Sequence, residues 1–256
     1  METLKITIQD NVAIIAMDRG KSNAMNEQML DELKKMIVSI EQDANIYGAI
    51  LTGKQGFFTA GLDLIELFGY NEAQMKTFWS KFLDLIKTLT SFKKPLISAI
   101  SGHSPAGGCV LAICSDYRVM AEGEFIIGLN EVPVGIIVPE SIFELYAFWI
   151  GRANAYRYLL EGKLMGSAEA KAIGLIDATA PIESLMTAAL KKMKVYLALE
   201  PTTWQQSKLN LRKALVAKMN ENQTETLEKM LKQWWSPSTR SILKTIIDNL
   251  QGKKVG

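Results

Sequence analysis

Histidine is almost missing: in 256 residues there is one, His103. A metal centre built on imidazole ligands is thereby excluded. Cysteine is scarce as well. Cys109 and Cys114 are the only two, too few for a disulfide scaffold, and small buried hydrophobes are the default reading for both. An excess of one charge is also lacking. Lys and Arg number 29 against 27 Asp and Glu, a formal +2, so neither a nucleic-acid partner nor an acidic surface is implied. No apolar run reaches the roughly 20 residues of a membrane span. Pro95–Cys114 comes nearest, and Ser98, Ser101, His103, Ser104, Pro105 and three glycines interrupt it. Met1–Asp10 alternates polar and apolar residues, a strand pattern and not a targeting helix. Lys253-Lys254-Val255-Gly256 is not a peroxisomal tripeptide signal. These absences give the expectation of a cytoplasmic protein with no metal, no nucleic acid and no membrane among its partners.

What is present is alternating strand and helix pattern. Leu4–Gln9 and Val12–Met17 read as strands joined at Asp10-Asn11, a turn-forming pair. Asn26 can cap a helix whose Met29, Leu30, Leu33, Met36, Ile37 and Ile40 form one apolar stripe. Residues 47–52 form a strand, and 72–91 an amphipathic helix with Met75, Phe78, Trp79, Phe82, Leu83, Ile86 and Leu89 on one side. Residues 95–100 are a buried strand, 109–114 a helix, and 117–121 and 125–128 strands. After Pro139 helices dominate. Gly174 stands where a left-handed helix cap is expected, 175–178 reads as one more strand, and 182–198 as a helix. Pro201 marks a soft boundary, giving an α/β core over 1–200 and a helical, charged segment over 201–256. The repeated order strand, strand, helix points to an α/β protein of stacked small sheets.

Three stretches could carry chemistry. In Phe58-Thr59-Ala60-Gly61-Leu62-Asp63-Leu64, small residues lie between a strand and a helix. They let a ligand approach the backbone, and the amides opening the helix can donate to an anion. A plain loop with an Asp near a helix start is the competing reading. In Ser104-Pro105-Ala106-Gly107-Gly108-Cys109, two glycines at a helix start leave backbone N–H groups uncovered. That is one way to build an oxyanion hole, and close packing of helix on sheet demands glycine equally. In Gly128-Leu129-Asn130-Glu131-Val132-Pro133-Val134-Gly135, Glu131 has hardly another charge between Glu124 and Glu140. A carboxylate in apolar surroundings has a raised pKa and can take a carbon-bound proton near neutrality. The competing reading is a surface-loop glutamate. His103 reads as a structural hydrogen-bonder, and Asp116 with Arg118 as a local ion pair or cap.

Taken in order, these stretches resemble the crotonase (enoyl-CoA hydratase/isomerase) superfamily, over about Leu4–Ala198. Ala60-Gly61-Leu62-Asp63-Leu64, Pro105-Ala106-Gly107-Gly108-Cys109, Cys114-Ser115-Asp116-Tyr117-Arg118 and Gly128-Leu129-Asn130-Glu131 are most similar to the mitochondrial-type 3,2-trans-enoyl-CoA isomerases. Ser22-Asn23-Ala24-Met25-Asn26 resembles the superfamily's CoA-contacting loop. The resemblance implies a spiral of strand–strand–helix units with a helical trimerisation part, so a homotrimer or hexamer. It implies an acyl-CoA thioester substrate with no cofactor beyond the CoA it carries. The oxyanion hole falls on the Leu62 and Gly107 amides, and the base on Glu131. CoA contacts fall on Asn23, Ala24, Met25, Ala60, Gly61, Leu62, Asp63, Leu64 and Asn130. Similar hydratases carry a second glutamate just after the Gly-Gly-Cys element, where this chain has Val110. The implied reaction is therefore isomerisation of 3-enoyl-CoA to trans-2-enoyl-CoA. Enoyl-CoA hydratase is one alternative, and a non-catalytic acyl-CoA- or RNA-binding member is another.

Overall fold

The computed structural model describes residues 1–252, so the Lys253–Gly256 end lies outside the described residues. Strands β1 (Leu4–Gln9) and β2 (Val12–Met17) form an antiparallel hairpin. Asp10 and Asn11 turn it with φ of 49° and 61°, the paired left-handed conformation that a two-residue hairpin needs. Helix α1 (Glu27–Gln42) starts at Asn26, whose side chain accepts from the Met29 amide. Five of its six stripe residues are buried and Met36 is partly so. Strand β3 (Gly48–Thr52) follows, parallel to β2.

From β3 onward each turn of the chain lays one strand in a large sheet, one in a small sheet, and then a helix. The first turn is β3, β4 (Gly56–Phe57), the short α2 (Leu64–Phe68) and α3 (Glu72–Ser91). The second is β5 (Leu96–Ile100), β6 (Gly102–Pro105) and α4 (Gly107–Ile113). The third is β7 (Tyr117–Ala121), β8 (Ile126–Gly128) and, after a 3-10 turn at Val132–Val134, α5 (Glu140–Ile150) and α6 (Arg152–Glu161). The chain then runs through β9 (Met165–Gly166), α7 (Ser167–Ala172), β10 (Ala178–Ala180) and α8 (Leu185–Leu197). The large sheet has the order β1-β2-β3-β5-β7-β10 and the small one β4-β6-β8-β9. This is the expected α/β spiral. Strands β3 and β5, covered on both faces, are buried along their whole length, as central parallel strands are.

Two expectations need correction. The strand expected over 175–178 begins only at Ala178. Gly174 does take the left-handed cap (φ 81°), and Leu175 and Ile176 then fill the core as a turn. Asp116 and Arg118 are not paired with each other. Each meets an opposite charge brought by a later segment: Arg118 Nη2 lies 2.7 Å from Asp177, and its guanidinium stacks 3.6 Å over the Trp149 ring.

Asp116 anchors the tail, made of α9 (Pro201–Leu211), α10 (Lys213–Met219), α11 (Thr224–Trp234) and α12 (Pro237–Gly252). Lys208 Nζ lies 2.7 Å and Arg212 Nη2 3.1 Å from its carboxylate. The same two side chains donate to the carbonyls of Thr90, Lys94, Cys114 and Ser115. Leu215, Met219, Met230, Leu231, Trp234 and Leu243 join the main hydrophobic core.

Candidate active site

The first glycine loop is laced to the segment after β2. Met25 donates to the Gly61 carbonyl at 2.8 Å, Asp63 to Met25 at 2.9 Å, and Ala60 to Ser22 at 2.9 Å. Asn23 is fully buried with φ 51°. Its amide donates to the Phe58 carbonyl, its oxygen accepts from the Arg19 amide, and its carbonyl accepts from Thr59 Oγ1. Asn23 thus braces the loop from inside, and the partly open residues around it are Ala24, Ala60, Leu62, Asp63 and Leu64. Asp63 caps α2 and holds Arg19 at 2.7 Å, and Glu66 takes the other arm of that guanidinium at 2.8 Å. Sequence reasoning passed over Arg19 and Glu66. Ion pairing across some 40 intervening residues leaves no local pattern.

The second loop packs directly on the first. A Cβ on Gly61 would sit 3.3 Å from the Gly107 nitrogen. One on Gly108 would lie 2.5 Å from the Thr59 carbonyl oxygen, a clash with backbone. Close packing therefore requires this glycine pair, both of whose members are buried. Ala106 enters α4 at φ 49°, ψ −122°, a conformation costly for any residue with a Cβ. The turn it makes frees the Gly107 amide. Among the described residues, neither the Leu62 nor the Gly107 N–H meets an acceptor.

The third stretch is tied to the second where the Ala106 amide donates to the Gly128 carbonyl at 2.8 Å. Three residues on, Glu131 opens the 3-10 turn. The residue is partly open to solvent, but its Oε2 is buried and unpartnered, as is Asn130 Oδ1 beside it. Loss of water around the carboxylate pushes its pKa up to about 7. Cys109 on α4 and Tyr146 on α5 feel the Glu131 charge, and burial drives both pKa values upward. An apolar cavity of about 440 Å³ begins at the next residue, Val132, and is lined further on by Ile136, Ile137, Phe143, Tyr156 and Leu160. Val110 is fully buried in α4, so the second-carboxylate position is aliphatic.

His103 lies off this site. Its ring stacks between Phe57 and Phe125, and Nδ1 accepts from the Ile126 amide at 3.3 Å, as expected of a structural histidine. Among the described residues, no group of three His, Cys, Asp or Glu side chains could hold a metal.

The model of the enoyl-CoA hydratase/isomerase family matches residues 7–246. The chain belongs to that family. Its curated relatives include the mitochondrial enoyl-CoA delta isomerase 1 of mouse, 34% identical over 95% of this chain and 85% of the mouse protein. The human counterpart is 31% identical over 95% and 81%. A probable enoyl-CoA hydratase of Mycobacterium tuberculosis is 30% identical over 73% and 72%. The crystal structure of human mitochondrial delta3-delta2-enoyl-CoA isomerase superposes with a TM-score of 0.94 at 29% identity, covering 98% of this chain and 99% of that one. These relatives overturn the expected cytoplasmic location, since the mouse, rat and human isomerases carry mitochondrial names. The absence of a targeting pattern in Met1–Asp10 was a poor guide. Among the described residues, no helix is long and apolar enough to cross a membrane.

Proposed function

We infer that this family member is an enoyl-CoA isomerase that moves the double bond of a 3-enoyl-CoA to the trans-2 position, in the oxidation of unsaturated fatty acids. The observation that carries the reading is the solitary carboxylate. Glu131 is desolvated on a segment hydrogen-bonded to the loop that carries the Gly107 amide, and Val110 occupies the position where similar hydratases carry a second acid. Adding water across a double bond is easiest with two carboxylates to orient that water. Moving a proton from one carbon to another needs one group that takes and returns it.

The thioester oxygen sits between the Leu62 and Gly107 amides. Glu131, ionised above about pH 7, removes an α proton. The charge spreads into a dienolate whose oxygen the amides hold. Protonated Glu131 then returns the proton to the γ carbon. A carboxylate alone is too weak a base for this step, and each preorganised donor contributes about 3–4 kcal/mol toward closing the gap. Residues 23–25 and 60–64 hold the nucleotide and pantetheine ends of CoA, Asn23 by shaping the loop and not by touching the ligand. Asn130, with its Oδ1 unpartnered, is free to accept from an N–H of the pantetheine arm.

The assembly is a homotrimer or a dimer of trimers. Family resemblance supports this, as do side chains left open on the helices, Leu211, Tyr156 and Leu160 being more than half exposed. Sedimentation equilibrium is expected to return three or six chain masses; a monomer or dimer mass sinks it. The activity itself is tested with 3-enoyl-CoA substrates beside crotonyl-CoA. Isomerisation far outpacing hydration is expected, and hydration at a comparable rate would make the chain a hydratase.

A further inference from the structure

The reaction needs the Glu131 carboxylate and the Leu62 and Gly107 amides at a fixed separation, yet they belong to different turns of the spiral. One short stretch of the tail touches both sides. Thr239, fully buried in the first turn of α12, donates its hydroxyl to the Gly135 carbonyl at 3.1 Å and accepts from Gln233 Nε2 at 2.9 Å. Gly135 closes the turn that Glu131 opens, and the Glu131 carbonyl accepts the amides of Val134 and Ile136. Gly135 has φ 78°, and a Cβ there would come within 2.7 Å of Thr239 Oγ1, so the two are in contact. The next residue, Arg240, reaches the opposite way. Its Nη2 donates to the Phe68 carbonyl at 3.0 Å, and its guanidinium lies 3.4 Å over the Phe68 ring. Phe68 ends α2, the helix that Leu62 and Asp63 lead into.

We propose that Thr239 and Arg240 are positioning residues, a clip that ties the Glu131 turn to the helix following the Leu62 amide and so sets the gap between base and oxyanion hole. A role limited to fastening the tail fits poorly with Arg240, whose Nη1 is buried with no partner. A buried unpartnered donor is unfavourable for stability, so stability alone does not account for an arginine here. The clip rests on the isomerase reading, and its test is chosen to fail separately from it.

The full-length protein is compared as wild type, Thr239→Val, Thr239→Ser and Arg240→Met. Each is assayed for kcat and KM on a 3-enoyl-CoA. Each is also labelled with ¹³C at the glutamate carboxyls and titrated by NMR, with Glu131→Gln assigning the Glu131 signal. Among the described residues no charged side chain faces that carboxylate; its titratable neighbours are Cys109 from α4 and Tyr146 from α5. Thr239→Val should lower kcat about 10–100-fold, as sub-ångström to ångström misplacement does, with KM within twofold. Water admitted by the loosened turn should draw the Glu131 midpoint down from about 7 toward the ordinary carboxylate range. Thr239→Ser, which keeps the hydroxyl, should restore both. Arg240→Met should lower kcat and leave the midpoint in place, because it acts on the oxyanion side. If the variants lose only thermal stability while kcat and midpoint stay as in wild type, the clip is overturned. Should Thr239→Val not fold, an Arg240→Met enzyme with wild-type kcat overturns it equally. If the wild type does not isomerise at all, the functional reading fails, and the Glu131 midpoint in Thr239→Val still decides whether Thr239 controls that turn.

Discussion

The two walls of the site are built on opposite terms. Around the glycine loops the side-chain groups of Asn23, Thr59, Asp63 and Arg19 have partners, the Ser104 hydroxyl being the exception, and the Leu62 and Gly107 backbone N–H groups are left free. On the other wall, Asn130 Oδ1 and Glu131 Oε2 are buried with none. A donor near Glu131 would stabilise its ionised form and lower its basicity. Withholding hydrogen bonds on one side is thus as functional as supplying them on the other. In the proposed mechanism, rigidity holds the oxyanion amides and desolvation tunes the base.

The contrast breaks most completely at Glu131. Glu131→Gln keeps shape but cannot carry a proton, so isomerisation should fall by at least ~10²–10⁴ while calorimetric binding of an unreactive acyl-CoA stays within a few-fold. A near-normal rate would remove Glu131 from the mechanism. On the facing wall, Gly108→Ala drives a methyl into the Thr59 carbonyl. A cost of about 1–3 kcal/mol is expected in urea unfolding, with a parallel loss of kcat as the two loops separate.

A subtler contrast is in pH. The folded-state pKa of Glu131, about 7, lies above its ordinary 4.5. The native protein therefore holds this proton when the unfolded chain has released it, and stability falls as pH rises from about 4.5 to 7. Glu131→Gln removes that loss. It should melt higher than wild type at pH 8 and alike at pH 4, and equal melting of the two proteins at pH 8 would contradict a desolvated carboxylate. For the same reason kcat/KM of the wild type should drop tenfold per unit below about pH 7. The smallest effect belongs to Ala106→Gly. Relief of the left-handed strain is offset by the larger freedom of glycine in the unfolded chain, so a net change within about 1 kcal/mol is expected, with kcat nearly unchanged. A large loss of rate would show that the Ala106 methyl itself steers the Gly107 amide.

Local pattern made much of this legible. The α1 stripe, the Asn26 cap, the Asp10-Asn11 hairpin and the glycine loops each announce themselves within a few residues, and the lone Glu131 stands out because its neighbours are uncharged. Strands β4 and β9 were missed because two residues carry no alternation; the small sheet pins them through β6 and β8. The Arg19–Glu66 pair, the fate of Asp116 and the contact of Thr239 with Gly135 depend on chain segments far apart in sequence. No window of the sequence holds both partners. Ala106 could be seen as a departure from glycine, but its meaning needed a dihedral angle.

The anchoring of the tail on Asp116 bears on how this protein must be made. Lys208 and Arg212 are synthesised 92 to 122 residues after the carboxylate they pair with and the carbonyls they donate to. Until they emerge from the ribosome, the Asp116 carboxylate and the carbonyls of Thr90, Lys94, Cys114 and Ser115 can be met only by water. A nascent chain stopped at Glu200 has its α/β spiral complete in outline but lacks the cations that pair with Asp116 and the tail side chains that join its core. The helical segment is made after the core it helps to fill.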